Sequence, residues 1–374
     1  MGEVLRRLTS KCLSRCVLDE AADALAPLQV GVGVKAGCEA VVHSVANTLV
    51  DPNTLPNERW TLLLDFSNAF NTIDRSHMFV ETRLRIPGIS TWMECCYGAQ
   101  PILHLGDNTI LSKCGVHQGD PLGPLGFALT LHPIIERIKQ EVPGLKINAW
   151  YLDDGTLVGS PSDLKAALQI VEAEGPARGL HLNCAKSLLF IPVGSDPSLN
   201  QLPTDIPITR EGFILLGSPI GPSSFCEAAV GKRVAKLRES LARLPDLEDS
   251  QMETALLRSC LALPKISFAL RSCPPSHIQE AIAAYDDAMR EALSDLASGP
   301  LSEWTWLKAS LPSSLGGLNI RRASLHAPAA YISSLVCSEE MVTRILWHAP
   351  GAPRLWALRS PGWLRQLGGL TGFP

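Results

Sequence analysis

Residues 149–160, AWYLDDGTLVGS, set two adjacent carboxylates, Asp153 and Asp154, between two short apolar runs. Trp150, Tyr151 and Leu152 precede the pair, Leu157 and Val158 follow it, and Gly155 comes directly after, which predicts a tight β-hairpin with the carboxylates at its tip. Like charges held side by side in a partly buried turn repel unless a cation compensates them, so a divalent metal is the simplest partner. A solvated Asp-Asp-Gly turn between two strands explains this stretch equally well by itself.

A second strand end weighs on that choice. Leu62–Leu64 reads as a short buried strand running straight into Asp65, and carboxylates brought from two strand ends can clamp two divalent ions roughly 3.5–4 Å apart, as two-metal phosphoryl transfer requires. Between the two sites lies QGDPLGP, residues 118–124, a loop broken by glycine and proline that places an amide, Gln118, ahead of an apolar helix from about Leu125.

The composition, 46% hydrophobic and 19% charged over 374 residues, fits two or three packed subdomains. A net charge of −4 excludes nucleic-acid binding through bulk positive charge and leaves local basic faces or metal to supply it. Eleven cysteines include no CxxC pair, which suits reduced thiols without structural zinc. The absence of a long apolar run and of a signal-like N-terminus predicts a non-membrane, intracellular protein, nuclear or cytoplasmic rather than secreted.

Residues 4–26 read as one amphipathic basic helix carrying Arg6, Arg7, Lys11 and Arg15. Gly31–Gly37 reads as a loop, Cys38–Leu49 and Arg75–Val80 as helices, residues 100–114 as a hairpin, Asp163–Glu174 as a helix, GLHLNCAKSLLFI as a turn plus strand, and Pro192–Pro207 as a loop. From Phe225 the pattern turns helical. Val230, Val234, Leu237, Leu241 and Leu244 line one face while Lys232, Arg233, Lys236, Arg238 and Arg243 crowd the other.

Five segments then match a family in order. LLLDFSNAFNTID, GVHQGDPLGPLGFALTLHPII, AWYLDDGTLVG, GLHLNCAKSLLF and LLGSPIG resemble palm motifs A to E of reverse transcriptases, most closely the non-LTR retrotransposon type. The resemblance implies an α+β fold: a right-hand polymerase palm with an antiparallel sheet and packed helices, partial fingers and a helical thumb. It divides the chain into fingers over 1–60, palm over 61–224, thumb over 225–299, and an extension of unassigned role over 300–374. It implies RNA-directed DNA polymerisation with two Mg²⁺ ions (Mn²⁺ the substitute), on an RNA template, a DNA primer and deoxynucleoside triphosphates.

By the same resemblance Asp65, Asp153 and Asp154 are the metal-binding and catalytic carboxylates, and Lys186 is the motif D proton donor to pyrophosphate. Phe66 and the backbone after Asp65 face the triphosphate, Phe70 is the steric gate against a 2′-hydroxyl, and Gln118 with Gly119 lies against nucleotide and template. Gly217 grips the primer end, and Lys232, Arg233 and Lys236 follow the duplex backbone. One departure is that the family's extended basic fingers precede the first helix, whereas this chain begins almost on it, and Arg6, Arg7 and Lys11 are not clear substitutes. Endonuclease, RNase H and CCHC signatures are also missing. A truncated or domesticated fragment with weak or absent activity is therefore expected, the rival reading being a catalytically silent, nucleic-acid-binding remnant.

Overall fold

The computed structural model describes residues 4–347, which fall into two compact units, 4–210 with 338–347, and 211–337. In the first unit the basic N-terminal segment forms two helices, α1 (Val4–Cys16) and α2 (Leu18–Leu25), rather than one. The break is at Val17, where ψ rises to 12° and the apolar side chain turns into the core. The chain continues through α3 (Gly37–Val50), β1 (Trp60–Leu64), α4 (Ala69–Thr72), α5 (Arg75–Arg85) and α6 (Ser90–Tyr97). The hairpin β2 (Ile102–Leu105) and β3 (Asn108–Leu111) follows, then α7 (Gly123–Glu141), β4 (Ile147–Tyr151), β5 (Asp154–Gly159), α8 (Pro161–Glu174), β6 (Leu188–Phe190) and β7 (Ile208–Thr209).

Five of these strands form one sheet in the order β4-β5-β1-β6-β7. All neighbours are antiparallel except the short β6–β7 pair, so the expected antiparallel sheet carries one parallel edge. Trp60, Leu62 and Leu64 share one core with Trp150, Leu157 and, from α7, Phe127, Leu131, Ile134 and Ile138, while Ala149 and Val158 are buried as well. Burial on both faces explains why β1 reads as a continuous apolar run rather than an alternating one. The β2–β3 hairpin stands outside this sheet, and β3 is exposed along its length.

The second unit opens with the hairpin β8 (Phe213–Leu215) and β9 (Ser218–Ile220) and is otherwise helical. Its helices are α9 (Ser223–Leu241), α10 (Ser250–Ser259), α11 (Ser267–Ser272), α12 (Gln279–Leu296), α13 (Glu303–Ser310) and the first part of α14 (Ala323–Trp347), whose residues from 338 on belong to the first unit. Val230, Val234, Leu237 and Leu241 of α9 are buried with Ile282, Tyr285, Met289 and Leu293 of α12, as the apolar spacing predicts. The unit's core extends past residue 300 through Trp306, Ile320 and Ala327. The rest of the C-terminal extension, 348–374, lies outside the described residues.

Candidate active site

Strand register builds the site. Leu64 pairs with Gly155 across β1 and β5, so Asp65, one step further, stands beside Asp154 at the end of the sheet. Neighbouring antiparallel residues sit about 5 Å apart at Cα, which brings carboxylates from distant sequence into one field. Tyr151 pairs with Asp154, leaving Leu152 and Asp153 as a two-residue turn. Leu152 takes φ +54°, the left-handed conformation such tight turns demand and a branched side chain resists. Gly155 is required because a Cβ there would fall 2.6 Å from the Trp150 ring, which covers the strand.

Electrostatics single out the same three side chains. Asp154 is exposed at its edge, yet lost hydration over the packed sheet end, then the charges of Asp153 and Asp65, push its carboxyl up to about 6. Burial and the Asp65 charge also raise Asp153 above the usual carboxylate range. Among the described residues no ion pair compensates any of the three. Nor do three acidic, histidine or cysteine side chains there converge into a ready-made cage. Hard oxygen donors concentrated at two strand ends without a cation suit a hard divalent ion, so the donor set fits Mg²⁺.

The surrounding segments are tied to this end of the sheet. The Asp65 N–H donates to Ser187 Oγ at 3.2 Å and its carbonyl accepts from Asn183 N–H at 2.8 Å, so the turn bearing Lys186 is anchored on Asp65 while Lys186 itself is exposed. The Phe66 side chain is only 5% exposed and stacks on Trp150 with ring centroids 6.0 Å apart, so it is core and leaves only its backbone for a ligand. Phe70 is half-buried and stacks nearly parallel on Phe127 at 4.4 Å. Its carbonyl accepts from Val116 N–H at 2.8 Å, joining it to the loop that carries Gln118 and Gly119.

That loop exposes Gln118 and Gly119 and buries Asp120 directly after them. Asp120 accepts from the Tyr97 hydroxyl at 2.8 Å, from Arg6 at 3.2 Å and from Leu122 N–H at 3.1 Å. Arg6 is thereby occupied in holding Asp120. Arg75, 6% exposed, donates to the carbonyls of Gly115 and Ser112 at 2.9 and 2.7 Å and fixes the start of the loop.

The remaining predicted residues belong to the second unit. Gly217 occupies the β8–β9 turn at φ +85°, following Leu216 at φ +48°. Arg233 donates to the Gly217 carbonyl and so braces this turn, whereas Lys232 and Lys236 of α9 are exposed. Sequence reasoning missed Gln29, Tyr97, Asp120 and Ser187, each of which acts through a partner distant in sequence. The only advance signal was that Asp120 lies inside QGDPLGP.

The family model described as reverse transcriptase (RNA-dependent DNA polymerase) matches residues 4–220. The chain belongs to the reverse transcriptase family. It is 25% identical over 280 residues to the retrotransposable element SLACS 132 kDa protein of Trypanosoma brucei gambiense, a match covering 72% of this chain and 23% of that protein. The chain thus spans about a quarter of the curated relative it matches. Among solved structures it is similar to a Candida albicans telomerase in complex with a fragment of telomeric RNA, at 10% identity and a TM-score of 0.46, covering 99% of this chain and 56% of that one. An apo telomerase from Candida tropicalis is similar at 11% identity and a TM-score of 0.45, covering 96% and 60%. No helix among the described residues is long and apolar enough to cross a membrane.

Proposed function

We propose that the chain carries out RNA-templated DNA synthesis by nucleotidyl transfer at the sheet end bearing Asp65, Asp153 and Asp154. The observation that carries this is the β1–β5 register, which sets Asp65 beside Asp154 with no cationic side chain among the described residues in an ion pair with either. These residues would hold two Mg²⁺ ions, which when bound neutralise phosphate charge and lower the pKa of an attacking 3′-hydroxyl. Asp65 and Asp153 serve as the principal ligands and Asp154 as the weaker third. Gln118 and Gly119, exposed on a loop whose base is fixed by Asp120 and Arg75, lie against the incoming nucleotide and template. Lys186, held near Asp65 by the Asn183–Ser187 turn, is the proton donor to the pyrophosphate leaving group. Gly217 contacts the primer end, and Lys232 and Lys236 follow the duplex through phosphate charge.

Primer extension on an RNA template with Mg²⁺ or Mn²⁺, run beside an Asp153→Ala/Asp154→Ala variant, tests the reading. Product from the parent chain alone supports it. No product above the variant would leave a folded, catalytically silent domain. Phe70 supplies a finer check, because its stacking on Phe127 leaves a rigid ring to exclude a ribose 2′-hydroxyl. Phe70→Ala should raise ribonucleotide incorporation at least about tenfold, the value of roughly 1.4 kcal/mol of lost steric discrimination. Unchanged sugar selectivity would remove Phe70 from this role.

A further inference from the structure

The turn before Asp153 is held in an unfavourable backbone conformation, and one side chain from far upstream grips it. The Leu28–Val30 segment runs parallel to β4, with Trp150 N–H donating to Leu28 C=O at 2.7 Å and Val30 N–H donating to Trp150 C=O at 2.8 Å. This pairing points the fully buried Gln29 amide at Leu152. Gln29 Nε2 donates to Leu152 C=O at 2.9 Å, and Gln29 Oε1 accepts from Leu152 N–H at 2.8 Å and from Gly31 N–H at 3.0 Å. The amide therefore satisfies both backbone groups of one residue, as another strand would, at the point where β4 ends and no strand continues. That residue is Leu152, a branched side chain at φ +54°.

Resting on the reading of the carboxylate site as a metal centre, we infer that Gln29 is the positioning residue for the metal-binding turn: its two-sided grip on Leu152 sets the direction of Asp153. The chemistry requires glutamine. Glutamate supplies no donor for the carbonyl, asparagine is one methylene short, and leucine fills the space but leaves three part-buried backbone groups, the Leu152 N–H and C=O and the Gly31 N–H, without this partner. Gly31 is a second, independent mark of the same device. A Cβ at Gly31 would stand 2.7 Å from Leu152 N and 2.8 Å from Leu152 Cγ, so the strand bearing Gln29 can approach the turn only because residue 31 has no side chain. The buried amide touches no reacting atom and acts through Leu152 alone.

Mn²⁺ titration of the full chain, followed by the electron paramagnetic resonance of free Mn²⁺, reads the consequence without catalysis. Gln29→Leu is expected to bind Mn²⁺ at least tenfold more weakly than the parent at temperatures where circular dichroism shows both folded. Gly31→Ala should act in the same direction. A folded Gln29→Leu chain with Mn²⁺ affinity within twofold of the parent overturns the inference. If Asp153→Ala/Asp154→Ala binds Mn²⁺ as the parent does, the metal reading fails instead, and amide hydrogen exchange then decides on the grip directly. The Leu152 amide should exchange at least tenfold faster in Gln29→Leu while the amides of β1 keep their rates, and an unchanged Leu152 rate overturns the grip. Should Gln29→Leu not fold, Gln29→Met, which keeps the length without adding a charge or a strong hydrogen-bonding group, carries both measurements with the same criteria.

Discussion

The Asp153→Asn/Asp154→Asn double variant is expected to lose templated synthesis by at least about 10³-fold and, free of divalent ions, to melt higher than the parent chain. The loss follows from removing most of the anionic donor set, since divalent stabilisation of a phosphoryl transition state is worth several kcal/mol and about 4 kcal/mol is 10³ in rate. The gain in melting temperature has the opposite sign because the same charges oppose folding. Burial and the charges of Asp153 and Asp65 push Asp154 up to about 6, and Asp153 moves in the same direction. A carboxyl whose folded pKa exceeds its unfolded value, near 3.9, takes up protons on folding. Its destabilisation is therefore absent below about pH 4 and develops as pH rises through 6. At pH 7 it amounts to about 1 kcal/mol once solvent screening of the exposed Asp154 is allowed for, or roughly 2–4 °C in melting temperature. Millimolar Mg²⁺ should raise the parent's melting temperature at pH 7 and leave the double variant unmoved. Equal responses to Mg²⁺, or a variant that melts no higher than the parent without it, would contradict an uncompensated carboxylate site.

Asp120→Ala should cost about 3 kcal/mol, because it strands the buried Tyr97 hydroxyl and the half-buried Arg6 guanidinium at once. Tyr97, 1% exposed, would lose the acceptor of its hydroxyl, and Arg6 would lose its only carboxylate within the described residues. The Leu122 N–H at the start of α7 would lose its acceptor as well. The expected fall in melting temperature is roughly 6–12 °C for a unit of this size. The loop bearing Gln118 and Gly119 should also become cleavable by protease in the folded chain, since Asp120 is its buried anchor. Asp120→Asn keeps the shape and a carbonyl acceptor, so it should lose about a third as much. A double-mutant cycle with Arg6→Ala apportions the pair, and an Asp120→Ala chain within about 0.5 kcal/mol of the parent would show that the network does not hold the loop.

The parts of the site legible in the sequence are those whose signal is local. The hairpin around Asp153 and Asp154 announces itself through apolar flanks and a following glycine, and Asp65 through the apolar run that ends on it. The ordered neighbours of these segments then made the family legible, and the family model matches residues 4–220. The features that stayed hidden depend on contacts distant in sequence. Gln29 looks like any polar residue ahead of a glycine loop, and its meaning lies in the Leu152 backbone, 123 positions away. Arg6 reads as one of several basic residues on a helix, yet it is turned inward onto Asp120, 114 positions away. Phe66 reads as a nucleotide contact because it follows Asp65, but strand alternation turns its ring to the core beside Trp150. The bend at Val17 carries no proline or glycine, and the need to bury that valine produced it. α6 has no side-chain cap at its start and only Met93 and Tyr97 buried, which is too weak a period to read as a helix.

The pairing of β1 with β5 also governs where the chain can change length. One residue added within Trp60–Leu64 or Asp154–Gly159 would turn every later side chain of that strand to the opposite face and carry Asp65 away from Asp154. The β2–β3 hairpin is under no such constraint. Its tip, Gly106–Asp107, lies outside the five-stranded sheet, and nothing stands within 4 Å of where a Cβ on Gly106 would be. An epitope or fluorophore tag inserted at Gly106 would lengthen the path from Asp65 to Asp153 without altering their juxtaposition, whereas a single extra alanine in β1 would abolish it.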